Sequence, residues 1–128
     1  MGSFAPLTSS KAVREAWGGA GSCLTYFTAD WCGACKRIRP ALQELTRQLV
    51  EGSGGGKWRL IQADVDLEEL EEVKEECGGV TSLPSFVVHR EGEQIGGVYA
   101  GLAGFQALQK ELGAPQGVKR KAAGEPPQ

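Results

Sequence analysis

An α/β sandwich is predicted, with a central mixed sheet of about five strands flanked by about four helices. Three observations predict it. The hydrophobic patterns along the 128 residues run in the order β-α-β-α-β-α-β-β-α. The run Cys23-Leu24-Thr25-Tyr26-Phe27-Thr28 is rich in β-formers and uncharged, as expected of a strand covered on both faces by helices. Near the end, two strand-like runs flank Glu91-Gly92-Glu93, a hairpin signal. The first strands are therefore expected to be parallel and the last hairpin antiparallel.

Taken in order, Ser3 to Leu7 can form a short extended piece that Pro6 confines to a sheet edge. Ser9 or Ser10 can cap a helix with Val13, Ala16 and Trp17 on its apolar side, ended by Gly18-Gly19. After the Cys23–Thr28 strand and Asp30-Trp31, Ile38, Leu42, Leu45 and Leu49 recur at helical spacing. Lys36, Arg37, Arg39, Glu44 and Arg47 occupy the other faces of that helix, and Pro40 inside it is expected to kink it. A glycine-rich linker at Gly52 to Gly56 leads to a second buried strand, Trp58 to Val65. Leu67 to Cys77 sets Leu67, Leu70 and Val73 on one side of a helix and six glutamates on the others, which reads as a solvated face rather than a docking site. Phe86-Val87-Val88 and Gln94 to Tyr99 form the hairpin, with its turn at Gly92. Leu102, Phe105, Leu108 and Leu112 mark a last helix, so residues 1–112 read as one domain and 113–128 as a flexible tail of Pro, Gly and small polar residues.

Composition narrows the function. Hydrophobic residues make up 41% and charged residues 23%, enough for one packed core. Fourteen Lys and Arg against 16 Asp and Glu give a net charge of -2, with no general pull toward nucleic acid or an anionic membrane. No apolar run approaches the roughly 18 residues of a membrane span. MGSFAPLTSS has neither the basic nor the apolar region of a signal peptide, and Pro6 spoils a myristoylation site. A cytoplasmic, monomeric protein is expected. Nineteen glycines, about twice the usual share of roughly 7%, fall without period and punctuate turns.

Four cysteines are too few for a disulfide scaffold, but two of them form Cys32-Gly33-Ala34-Cys35. Such a pair either ligates a metal or exchanges disulfides. Zinc usually needs four ligands, and Cys23, Cys77 and His89 form no second pair, so no metal is expected. Exchange suits the location, where a strand gives way to a helix. At a helix N-terminus, unpaired N–H groups and the dipole favour thiolate over thiol. Lowering a thiol pKa from about 8.5 to about 7 raises the thiolate at neutral pH from a few per cent to half. Cys35 lies one turn deeper, so Cys32 is expected to attack and Cys35 to resolve.

Phe27-Thr28-Ala29-Asp30-Trp31-Cys32-Gly33-Ala34-Cys35-Lys36, with Pro40 beyond it, resembles the active-site segment of the thioredoxin family. Ser82-Leu83-Pro84-Ser85-Phe86 resembles that family's cis-proline segment, with Gly92 and Gly101 following at a similar distance. The resemblance spans roughly Ser3 to Leu112 and implies the thioredoxin fold. It also implies that Trp31 forms part of the substrate-facing surface, with Gly33 and Ala34 at the turn beside it. Leu83–Pro84 would be a cis bond whose backbone hydrogen-bonds an extended substrate chain; cis is a minority state for X–Pro generally. Protein disulfides would be the substrates, and electrons would come from a separate NADPH-dependent flavoprotein, a thioredoxin reductase. No cofactor is expected on this chain, which carries no nucleotide fingerprint.

Two departures stand out. The family's usual Gly-Pro between the cysteines is Gly33-Ala34 here, which returns an N–H donor near the sulfurs and implies a less reducing couple. The family's buried Asp, six residues before the first Cys and associated with a proton relay to the resolving Cys, is Tyr26, and the Lys that often neighbours it is Gln62. Losing both charges together avoids an unpaired buried charge. It implies that Cys35 deprotonates more slowly or is assisted by Tyr26 or a water. Cys23 and Trp58 read as core and Cys77 as inert rather than regulatory. His89 lacks an identifiable partner, and Lys119-Arg120-Lys121 reads as solvated tail. Two functions follow: a protein-disulfide reductase working through Cys32 and Cys35, or a redox-sensing or redox-inert binding module that uses the Trp31–Pro84 groove. The vicinal pair favours the first.

Overall fold

The computed structural model describes residues 4–52 and 57–113; the expected tail from residue 114 onward and the glycines at 54–56 lie outside the described residues. Five strands form one sheet: β1 (Ala5–Pro6), β2 (Ser22–Thr28), β3 (Trp58–Asp64), β4 (Ser85–Arg90) and β5 (Glu93–Ala100). The spatial order is β1-β3-β2-β4-β5, which puts β2 in the centre. β1 and β2 run parallel to β3, while β4 is antiparallel to both β2 and β5. β1 lies on an edge, where Pro6 costs no ladder bond. Four α-helices complete the fold: α1 (Ser10–Gly18), α2 (Gly33–Gly52), α3 (Glu71–Glu76) and α4 (Gly101–Gly113). The final glycine of α4 was assigned to the tail by its sequence, and Gly52 to the linker; both close helices instead.

The sheet divides the core. On one face α2 and α4 bury Ile38, Leu42, Leu45, Leu49, Phe105, Leu108 and Leu112 against Leu24, Tyr26, Leu60, Phe86 and Val88. On the other, α1, α3 and the short turn Glu68–Leu70 before it bury Val13, Trp17, Leu70 and Val73 against Cys23, Phe27, Ile61 and Val87. Each large apolar side chain so buried contributes about 1.5–3 kcal/mol. β2 supplies residues to both faces, which is why its sequence carries no polar-apolar alternation.

α1 begins at Ser9, whose hydroxyl accepts the Ala12 N–H at 3.1 Å. α2 remains one continuous element with Pro40 in its interior. The acidic segment is not one helix. A 3₁₀ turn, Glu68–Leu70, precedes α3, and the break falls where the Ser10 hydroxyl donates to the Glu69 carbonyl at 2.6 Å. Leu102 is exposed, so α4 buries only the later three of its four spaced apolar residues. The β4–β5 turn has positive φ at both Glu91 (50°) and Gly92 (86°), the two-residue turn whose twist matches a hairpin.

Candidate functional site

The site forms at the carboxyl end of β2, where the chain arrives from α1 on one face of the sheet and leaves into α2 on the other. Open α/β sheets place their crevices at such reversals. Cys32 is the N-cap of α2: its carbonyl accepts the Lys36 N–H at 3.4 Å. Its sulfur accepts the Cys35 N–H at 3.0 Å, the role a Ser or Asp oxygen plays in an ordinary N-cap. α2 has no acidic residue in its first turn, and Lys36, Arg37 and Arg39 follow at once. Helix dipole and side-chain charge therefore both favour a thiolate at Cys32 in the reduced form.

Cys32 and Cys35 are joined in a disulfide with Cα atoms 5.3 Å apart, and both residues are buried. They open to different spaces. Cys32 lines a cleft of about 470 Å³ with Trp31, Gly33, Ala34, Val65, Lys74, Val80, Thr81, Ser82 and Leu83. Cys35 lines a second cavity, of about 220 Å³, with Tyr26, Thr28, Ala29, Asp30, Lys36, Arg39, Gln62 and Asp64.

Trp31 is the most exposed large hydrophobic residue among the described residues, at 67% accessibility, and its indole Nε1 donates to Asp66 Oδ2 at 2.9 Å. Asp66 is itself placed by a turn in which its N–H bonds Asp64 Oδ1 at 2.9 Å. Nothing in the sequence marked Asp66 as Trp31's partner. Phe27 pairs with Ser85 across β2 and β4, so Pro84 falls one residue beyond, level with the end of β2. The Leu83–Pro84 peptide bond is cis, and the Pro84 carbonyl accepts the Gly101 N–H at 2.7 Å. Leu83 faces the cleft while Pro84 is fully buried, so of this pair only Leu83 lines the space shared with Cys32.

Tyr26 and Gln62 are cross-strand partners, so the two substitutions do occupy one locus. Tyr26 stacks on Phe86 with centroids 5.3 Å apart and tilts against Phe4 at 5.4 Å.

The remaining cysteines stand apart. Cys23 is fully buried on the α1 side, and burial pushes its thiol pKa up. Cys77 is also buried, with its pKa raised by burial and its thiol donating to the Lys74 carbonyl at 3.4 Å. His89 is buried and stacked on Trp17 with centroids 4.5 Å apart; burial lowers its pKa. The glutamates of α3 are partly engaged. Arg14 of α1 bonds Glu72 at 2.6 Å and also bonds Glu76, holding Glu76 below the usual carboxylate range. Among the described residues no cluster of three metal-ligating side chains occurs, and no helix is long and apolar enough to cross a membrane.

A dithiol–disulfide pair at a helix N-terminus, set over the end of a mixed five-stranded sheet, defines a thiol-based redox protein. A family profile described as Thioredoxin matches residues 9–114. Thioredoxin from Bacillus subtilis (strain 168) is 38% identical over 77 residues, which are 59% of this chain. The matched stretch covers 64% of that relative, just under two thirds of its length. Human thioredoxin is 30% identical over 92 residues, covering 70% of this chain and 79% of the human protein. Oxidised mitochondrial Thioredoxin 3 from Saccharomyces cerevisiae superposes with a TM-score of 0.69 at 30% identity, covering 86% of this chain and 93% of its own. The chain belongs to the thioredoxin family.

Proposed function

We propose that this protein is a thiol–disulfide oxidoreductase that reduces protein disulfides through a Cys32/Cys35 cycle. The observation that carries the reading is the Cys32–Cys35 disulfide at the start of α2, with Cys32 on the open cleft and Cys35 beneath it. Cys32 thiolate attacks one sulfur of the substrate disulfide and expels the other as a thiolate, leaving a mixed disulfide on Cys32. Cys35 loses its proton and attacks Cys32 Sγ, which releases the second substrate thiolate. The substrate gains two electrons and the protein's dithiol becomes the disulfide.

Trp31, Gly33, Ala34 and Leu83 form the substrate surface in this reading, with Pro84 buried behind it and the Leu83 backbone pairing to an extended segment around the substrate disulfide. Electrons return from a separate NADPH-dependent thioredoxin reductase. Residues 1–112 constitute the working domain, as a monomer in the cytoplasm, where Cys23 and Cys77 stay reduced. A redox-inert binding module gives no reason for a vicinal pair that closes into a disulfide.

The test is turnover of a model protein disulfide with dithiothreitol as reductant. Wild type is expected to catalyse and Cys32→Ser to be inactive, while Cys35→Ser accumulates a mixed disulfide visible by non-reducing electrophoresis. A folded wild-type protein without activity would favour the binding module.

A further inference from the structure

Resolution of the mixed disulfide requires Cys35 to lose its proton, because the thiolate is the nucleophile. Cys35 is only 1% exposed, and unlike Cys32 it does not line the substrate cleft. The space it does line is the polar cavity of about 220 Å³ on its other side. That volume is ample for water, which needs a polar lining to occupy a buried space.

Strand geometry explains the cavity. Tyr26 pairs with Gln62 and Thr28 with Asp64 in the parallel ladder of β2 and β3. Residues two apart share a sheet face, so all four lie on the α2 side, continuing the row that begins with the apolar pair Leu24 and Leu60. The face therefore changes from hydrocarbon to polar directly below the first turn of α2. Lys36 and Arg39 of α2 and Asp30 of the preceding turn border the same cavity. Of its two carboxylates, Asp30 is exposed and Asp64 is half-buried. Asp64 Oδ1 is held by the Asp66 N–H at 2.9 Å, while Oδ2 has no protein partner among the described residues.

We propose that Asp64 is the proton acceptor for Cys35, reached through water in this cavity, with Tyr26, Thr28 and Gln62 lining the route. This rests on the dithiol reading and adds its missing proton path. As the mixed disulfide resolves, the Cys35 thiol proton passes through water to the Asp64 carboxylate. The Cys35–Cys32 S–S bond forms, the bond from Cys32 to the substrate breaks, and the substrate leaves as a thiolate. When the disulfide is later reduced, the proton returns to Cys35. Asp64 acts through solvent and Cys35, so it is a positioning residue rather than a catalytic one. Tyr26 and Gln62 put no fixed charge beside the sulfur, and Asp64 brings a carboxylate to the same cavity.

The experiment uses the reduced full-length chain and an aromatic disulfide that releases a coloured thiolate. A first phase reports attack by Cys32, and a second reports resolution by Cys35. Asp64→Asn keeps an oxygen for the Asp66 N–H and removes only the charge. Its second phase is expected to slow by about a hundredfold near pH 6–7, the lower end of general-base assistance, with the first phase unchanged. The deficit should shrink as pH rises and hydroxide takes the proton directly. Asp30→Asn should match wild type in both phases. Superimposable second phases for wild type and Asp64→Asn, or equal slowing by Asp30→Asn, would overturn the assignment. Loss of both phases in wild type would overturn the dithiol reading as well, so the two failures are distinguishable.

Discussion

Replacing Ala34 with Pro tests whether the free backbone donor between the cysteines sets the redox potential. Ala34 is the second residue of α2, and its N–H has no hydrogen-bond partner among the described residues. An N-cap side chain accepts from the second or third helical N–H. Here the third, that of Cys35, already bonds Cys32 Sγ at 3.0 Å, and the second is the remaining candidate. In the reduced protein a Cys32 thiolate can draw on both donors, whereas the disulfide carries no charge to reward them. Ala34 therefore stabilises the reduced state selectively and makes the couple more oxidising.

A hydrogen bond to a charged group contributes about 1.5–3 kcal/mol, and a sulfur already served by one donor should fall at the lower end. About 1.4 kcal/mol corresponds to one pKa unit and to about 30 mV for a two-electron couple. Ala34→Pro is thus expected to lower the potential by about 30 mV and raise the Cys32 thiol pKa by about one unit. The helix should survive, since the lost N–H bonds no carbonyl. Equilibration with dithiothreitol redox buffers, followed through Trp31 fluorescence, gives the potential, and thiolate absorbance against pH gives the pKa. A potential that stays fixed or rises, or a thiol pKa that falls, would refute the donor argument.

Two further predictions concern the opposite face of the sheet. Trp17 Nε1 donates to the fully buried Thr25 hydroxyl at 2.7 Å, so Thr25→Val leaves a buried donor unpaired at a cost of about 1–3 kcal/mol. Thermal denaturation should show a Tm at least about 4 °C lower with disulfide-reductase activity unchanged, and an unshifted Tm would mean that the indole finds another partner. Burial lowers the His89 pKa below its ordinary 6.5, so the unfolded chain takes up the proton first as pH falls. The stability this contributes is complete above pH 6.5 and is lost as pH drops through the folded pKa. His89→Phe should flatten the decline in urea midpoint below pH 6.5, and an unchanged slope would assign that decline to other groups.

Local rules carried much of the fold because they act over one or two turns. The spacing of Ile38, Leu42, Leu45 and Leu49 located the buried stripe of α2, and all four are buried. Pro6 marked an edge strand, and Glu91-Gly92 a hairpin turn. Cys32 fell at the helix start because a strand ended just before it. What escaped the sequence depends on residues far apart in the chain. Arg14 meets Glu72 and Glu76 across roughly sixty positions, so no local pattern could show that this acidic face is partly neutralised. The break between the 3₁₀ turn and α3 is invisible without Ser10 packed against Glu69. Asp66 and Asp64 belong to no motif in the sequence, yet one holds the Trp31 indole and the other borders the Cys35 cavity. For Asp64 a signal did exist. It stands two residues beyond Gln62, as Thr28 stands two beyond Tyr26, so the period of a strand puts it on the face already singled out.

The polarity of that face also explains why the fold can tolerate it. Burying four polar side chains unpaired in a close-packed core would cost several kcal/mol, since each lost water contact must be replaced. Here they cluster at one end of the sheet, where the first turn of α2 does not seal them off and Asp64 and Thr28 stay partly accessible. The apolar stripe of α2 begins at Ile38, one turn after Cys35, and from there the helix packs on hydrocarbon. Cys35 is therefore the boundary residue, buried among apolar neighbours on one side and facing polar groups on the other. A thiol set wholly in the apolar part would keep its proton, as burial makes Cys23 do. One set wholly in solvent would compete with Cys32 for substrates. In the proposed cycle, the position between them would let Cys35 wait as a thiol and act when the neighbouring sulfur carries a substrate.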